Sequence, residues 1–310
     1  MHKVLTVDTG FHRPRFDAAY LVVDRGRAAF VDCGTNHSVP RLLEALAGAG
    51  LGPEAVDWLI LTHVHLDHAG GAGELMARLP NARLVVHPRG ARHMVDPAQL
   101  VAGAAAVYGA DEVARTYGRL RPVAPARILE VADGQDLELG GLALRCLHAP
   151  GHARHHIVVH LKAEEAFFCG DTFGLSYREL DGPCGPFILP STTPVQFEPE
   201  ALEASIERML AMRPQRMYLT HFGPVEQVEA LARELRQQIR GMVARALPHA
   251  GLPAGPRHAA LVAELRQLYA ERARVHGVPR SSQEVLEVLR MDIELNAAGL
   301  GVWLDRRPAG

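Results

Sequence analysis

The chain has 310 residues, 48% of them hydrophobic, and a formal net charge of −2. That size and composition fit one large domain or a domain with an appendage, and they exclude a globally disordered chain. Charges of both signs are interspersed, so no basic face for nucleic acid stands out, and no apolar run reaches the roughly 18 residues needed to span a bilayer. The opening MHKVLTVDTG lacks the apolar segment and small-residue cleavage site of a secretory signal. Cys33, Cys146, Cys169 and Cys184 are far apart and form no CxxC pair, which suits reduced thiols rather than a disulfide scaffold. A cytoplasmic protein with no membrane or nucleic-acid partner is expected.

In chain order, AAYLVVD and RAAFVDC, joined by Arg25-Gly26, read as a hairpin of buried strands. Ser38 is placed to cap a helix over VPRLLEALAGAG, and DWLILT reads as a buried strand that delivers His63 at its carboxyl end. A Gly-rich break, a short helix GELMARLP and a strand ARLVVH follow. The Ala/Gly-rich segment from about residue 90 to 125 reads as helices and loop. Strands resume at RILEV, LALRCLH, HHIVVHL and EAFFCG, and a Pro/Gly-rich loop from Asp181 to Pro199 is long enough to be functional. The helix PEALEASIERMLAM then leads to the strand RMYLT.

Beyond Gly223 the pattern becomes purely helical. VEQVEALARELRQQIRGMVARAL, RHAALVAELRQLYAERA and SQEVLEVLRMDIELNAA are amphipathic, the last opened by Ser281 and Glu284 as a capping box. The expected organisation is a catalytic domain over residues 1–240 and a C-terminal helical extension over 241–310. The apolar stripes of the extension are expected to pack on the main domain or against another copy of the chain, as in a homo-oligomer.

The chemistry concentrates in HVHLDH, with His63, His65, Asp67 and His68. In extended backbone, residues two apart point the same way, so His63 and His65 can grip one ion while Asp67 and His68 turn away to a second. HExxH and zinc-finger spacings differ from this one. Three further candidates follow apolar strands: His152 in APGHARHH, Asp171 in FFCGDTFG and His221 in MYLTHFGP. Strand ends are where open α/β sheets place their sites.

With these residues in order, the sequence resembles the metallo-β-lactamase-fold hydrolases over roughly residues 1 to 225. The resemblance implies an α/β, αββα sandwich with two divalent metal ions, zinc first and iron or manganese as alternatives. Carried over position by position, His63, His65 and His152 hold the first ion, Asp67, His68 and His221 the second, and Asp171 bridges them. It further implies a metal-bridging hydroxide that attacks a carbonyl ester, thioester or lactone, with Asp67 as a catalytic residue orienting the hydroxide. Asp32 in VDCG resembles the family's supporting aspartate and equally reads as a turn anchor.

Tyr177 is expected beside the cleft as a hydrogen-bond donor to a substrate oxygen. Cys169 reads as core, and Cys184 as able to face the cleft. His12 and His37 read as surface residues, His155 and His156 as a strand start with one exposed imidazole, and His87 and His93 lack evident partners. Within the family, secreted zinc β-lactamases carry cysteine where Asp171 stands, and flavodiiron reductases carry glutamate in the first motif. The thioesterase and lactonase side, near glyoxalase II, therefore remains, acting on a small-molecule substrate. A mononuclear persulfide dioxygenase, a phosphodiesterase and a non-catalytic metal- or ligand-binding protein are the alternatives.

Overall fold

The computed structural model describes residues 2–192 and 194–307. Residue 193 of the long loop and residues 308–310 of the helical extension lie outside the described residues. Contacts divide the chain into two compact units that interleave along the sequence. The first comprises Met1–His148, His155–Gly170 and Pro214–Glu226; the second comprises Ala149–Arg154, Asp171–Arg213 and Gln227–Gly310.

The first unit carries two six-stranded mixed sheets. The order in one is β1 (Lys3–Asp8), β2 (Ala18–Asp24), β3 (Arg27–Val31), β4 (Val56–Ile60), β5 (Arg83–Val86), β6 (Ile128–Glu130). In the other it is β12 (Gly223–Val225), β11 (Arg216–Leu219), β10 (Ala166–Gly170), β9 (Ile157–Leu161), β8 (Leu142–His148), β7 (Gln135–Leu139). The β2–β3 turn puts Arg25 at φ 48° and Gly26 at φ 75°. Positive φ at both central residues matches the twist of a tight hairpin, and the glycine carries the conformation without strain.

Strand alternation explains why the first of these sheets is apolar on both faces. Ala19, Leu21, Ala28 and Phe30 join a core with Leu42 and Leu46 of helix α1 (Val39–Gly48) and Leu75 and Met76 of α3 (Ala72–Arg78). Their neighbours Ala18, Tyr20, Val22, Ala29 and Val31 face the other sheet, where Leu144, Cys146, Val159 and Phe168 complete a second core. At one edge the two sheets are stitched by backbone hydrogen bonds, from Ala18 N–H to the Thr220 carbonyl at 2.8 Å and from Ile157 N–H to the Thr62 carbonyl at 2.7 Å. The one-turn helix α2 (Leu66–Ala69), α4 (Pro88–Val95), α5 (Ala98–Tyr108) and α6 (Ala110–Tyr117) fill the rest of this unit. The architecture is the expected α/β sandwich followed by C-terminal helices.

The second unit is helical, with α7 (Pro199–Leu210), α8 (Val228–Ala246), α9 (Ala254–His276), α10 (Ser282–Val288) and α11 (Arg290–Arg306). Residue 240, the expected domain boundary, falls inside α8, and the second unit also takes two segments from the middle of the chain. The last expected helix is two helices that meet at Leu289, although the Ser281–Glu284 capping box forms as read. Ser38 stands at the start of α1 without capping it, because its hydroxyl instead accepts from Thr35 N–H at 3.1 Å in the preceding turn. Among the described residues, no helix is long and apolar enough to cross a membrane.

His87, which showed no partner in the sequence, caps α4: its Nδ1 accepts from Arg89 N–H at 3.0 Å. Burial, then the neighbouring His148 and Arg89, push its pKa down to about 4 from 6.5. In the fold His87 therefore stays neutral while the unfolded chain takes up a proton, so stability present above about 6.5 is lost as pH falls toward about 4. His87→Asn keeps a capping acceptor and removes the titration. Thermal unfolding of both proteins at about pH 7 and pH 5 should show a shallower drop for the variant; an equal drop contradicts the assignment.

Candidate metal centre

Five of the predicted ligands lie in the first unit. β4 ends at Ile60, and the chain runs extended through His63 and His65 into α2, whose single turn carries Asp67 and His68. His63 Nε2 and His65 Nδ1 are 2.9 Å apart. One ligand atom each from Asp67, His68 and His221 lie within 4.8 Å of one another. Asp67 Oδ2 is 3.4 Å from His221 Nε2 and 3.7 Å from His68 Nε2. His63 and His68 are fully buried, His221 is buried, and the Asp67 side chain is 26% exposed.

The second unit holds the other two, His152 and Asp171, with His152 Nε2 3.4 Å from Asp171 Oδ2. Asp171 is the residue after Gly170, the last of β10. Gly170 has φ 48°, and a Cβ there would meet His156 Nε2 at 2.6 Å and Thr62 Oγ1 at 2.7 Å, so only glycine lets β10 end this close to the histidine segment.

Three of the imidazoles are aimed by what their Nδ1 touches. His68 Nδ1 donates to Asp32 Oδ2 at 2.9 Å, His221 Nδ1 to the Phe16 carbonyl at 3.0 Å and His152 Nδ1 to the Ser191 carbonyl at 3.2 Å. A carbonyl or carboxylate accepts only, so the proton sits on Nδ1 and Nε2 keeps its lone pair for a ligand. His63 Nδ1 lies 3.2 Å from Thr62 Oγ1.

Asp32 is the hub of this arrangement. It is almost wholly buried at φ 56° and accepts from Thr62 N–H at 2.8 Å, the Thr62 hydroxyl at 2.8 Å, the Thr220 hydroxyl at 3.2 Å and His68. The two readings of Asp32 are thus one: it anchors the turn after β3 and supports His68.

Other placements differ from expectation. Tyr177 is fully buried in the second unit and its hydroxyl donates to Asp292 Oδ1 at 3.0 Å. A phenol whose single proton is given to a carboxylate has none for a substrate oxygen, which corrects the cleft-facing role. His155 and His156 are both buried rather than leaving one exposed, and the His156 ring stacks on His63 at 4.7 Å. Their only sequence signal was their place directly before an apolar strand. Cys169 is buried core, and Cys184 is exposed. His12 and His37 are both exposed, as read, and His37 Nε2 lies 3.0 Å from the Arg115 carbonyl.

Asp17 escaped sequence reading altogether. It is fully buried at the start of the segment that holds His221, and the Thr9 hydroxyl donates to it at 2.7 Å. Burial pushes its carboxyl up to about 7, against the opposing pull of His221 and His68.

Asp32→Ala leaves its buried donors without an acceptor, so it should destabilise the metal-free protein by about 3 kcal/mol. Urea unfolding measures this, and a loss below about 1 kcal/mol would show that Asp32 is not the hub.

The sequence model described as the metallo-beta-lactamase superfamily matches residues 12–221. A metallo-beta-lactamase fold-containing protein of Sulfurisphaera tokodaii is 24% identical over 68% of this chain and 75% of its own length. A hydroxyacylglutathione hydrolase of Acidiphilium cryptum is 33% identical over 65% of this chain, and the match spans only 62% of that protein. Among solved structures, a metallo-beta-lactamase family protein from Thermus thermophilus overlays with a TM-score of 0.65 at 25% identity, covering 94% of this chain and 93% of that one.

Proposed function

Because the chain belongs to the metallo-beta-lactamase superfamily, we propose that it is a dinuclear metal-dependent hydrolase of a carbonyl ester, thioester or lactone. The observation that carries this reading is the convergence of Asp67, His68 and His221 within 4.8 Å. Imidazole nitrogens with lone pairs aimed inward, together with carboxylate oxygens, form a donor set that suits zinc, with iron or manganese as alternatives. In this reading His63, His65 and His152 would hold one ion and Asp67, His68 and His221 the other, with Asp171 as a carboxylate shared by the site. Bound there, the ions supply Lewis acidity toward a carbonyl oxygen and toward the attacking water.

The protein's own residues do the rest. Asp32 and the Phe16 and Ser191 carbonyls fix the imidazole tautomers before a substrate arrives, so the donors need no rearrangement. Asp67 combines a place in the cluster with partial exposure, so its carboxylate can take a proton from water and return it to the leaving group.

Relatives named hydroxyacylglutathione hydrolase favour a thioester among the carbonyl classes. Since the match spans 62% of the Acidiphilium cryptum protein, glutathione itself is not part of the proposal. A phosphodiester is disfavoured because Arg178, the cation of the loop after Asp171, is engaged by the Ser176 carbonyl at 2.7 Å and by Asp181 at 3.5 Å. A phosphate clamp needs uncommitted positive charge.

The zinc-loaded protein should hydrolyse thioesters, lactones or activated esters with kcat/KM at least about tenfold above a phosphodiester, a difference of about 1.4 kcal/mol in barrier. Asp67→Ala should lower carbonyl turnover by about 100-fold or more with an unchanged far-UV spectrum. Faster phosphodiester cleavage overturns the substrate class, and near-normal turnover of the variant overturns the role of Asp67.

A further inference from the structure

The superfamily match ends at residue 221, which leaves α8 to α11 without an assigned role. These helices grip one segment of the second unit, the loop 175–192. Gln238 of α8 donates to the Ile188 carbonyl at 2.7 Å, and Asp292 of α11 accepts from Tyr177. The tightest grip is Asn296 of α11, which is 1% exposed. Its Oδ1 accepts from Thr192 N–H at 2.7 Å, and its Nδ2 donates to the Pro190 carbonyl at 3.0 Å and to the Tyr269 hydroxyl at 2.8 Å. The Thr192 hydroxyl lies 3.1 Å from both the Asn296 carbonyl and Oδ1. Both faces of the carboxamide are therefore used, and only an amide offers an acceptor and two donors in this geometry.

Gly299 gives an independent sign that the loop is seated on α11. A Cβ at that position would lie 1.4 Å from the Thr192 carbonyl oxygen, so the helix has no side chain where the loop crosses it. Between the two residues that Asn296 holds, Pro190 and Thr192, stands Ser191. The Ser191 carbonyl accepts from His152 Nδ1 at 3.2 Å, and its hydroxyl donates to Asp171 Oδ2 at 3.3 Å. One residue thus sets the tautomer of His152 and the rotamer of Asp171, and the amide of α11 sets that residue.

We infer that Asn296 is a positioning residue for metal binding: through residues 190–192 it aligns His152 and Asp171, making the C-terminal helices part of the metal centre's support. This rests on the metal reading proposed above and adds to it a role for a helix outside the matched region.

The test is the Zn2+ affinity of folded, metal-free full-length chain, read by competition with a chromophoric chelator. Asn296→Asp preserves shape while removing both donated hydrogens, and Zn2+ binding should weaken about tenfold or more. Ser191→Ala leaves the Asn296 contacts intact and should weaken Zn2+ binding comparably, with an unchanged unfolding temperature of the metal-free chain. The double variant should lose less than the sum of the two, because both act through the same loop. A purely structural role for Asn296 would lower the unfolding temperature and leave the affinity of folded protein alone.

Folded Asn296→Asp or Ser191→Ala binding Zn2+ within twofold of wild type overturns the inference. Should Asn296→Asp fail to fold, Tyr269→Phe, which removes one acceptor of the carboxamide, decides in its place: severalfold weaker binding supports the inference, and equal binding overturns it. Wild-type protein that binds no Zn2+ overturns the metal reading itself, a result distinct from equal binding by the variants.

Discussion

The buried carboxylate of Asp32 is the interaction on which the first unit's site depends. It stands directly after β3 in a left-handed conformation that costs a non-glycine residue about 1–3 kcal/mol, which its hydrogen bonds offset. Through Thr62 it fixes the exit of β4, through Thr220 the exit of β11, and through its acceptor oxygen the tautomer of His68. Strand ends from both sheets are thus tied to one charged group. Buried without these donors the carboxylate would be expensive; with them it selects one arrangement of the histidine segment.

The same logic recurs in chemically different forms. His221 is aimed by a backbone carbonyl of the loop before β2, and His152 by a backbone carbonyl of the loop before α7. Acceptors that cannot donate leave the imidazole one tautomer, so the Nε2 lone pairs are set by the fold. This preorganisation also explains the glycines at the site: Gly170 and Gly299 stand where backbone or ligand support passes too close for a Cβ.

Much of this was legible in sequence, for stated physical reasons. Buried strands show as apolar runs, and the candidate ligands show because histidine and aspartate rarely cluster at strand ends without a chemical use. What stayed hidden has local causes. β1 has a single buried position, Val7, β7 carries exposed acids among its two buried leucines, and β12 is three residues long with a central proline. The break at Leu289 has neither Gly nor Pro to mark it, and Ser38 reads as a cap although Thr35 takes its hydroxyl. The interleaved units and the burial of Tyr177 depend on partners distant in sequence, such as Asp292, which no local pattern announces.

The dinuclear reading proposed above assigns the seven histidine and aspartate donors to one pair of ions. It is tested most directly by anomalous diffraction at the zinc edge from crystals of the zinc-loaded protein. Two peaks are expected, one coordinated by His63, His65 and His152 and the other by Asp67, His68 and His221, with Asp171 touching both. A single peak, or zinc held without His152 and Asp171, would contradict it.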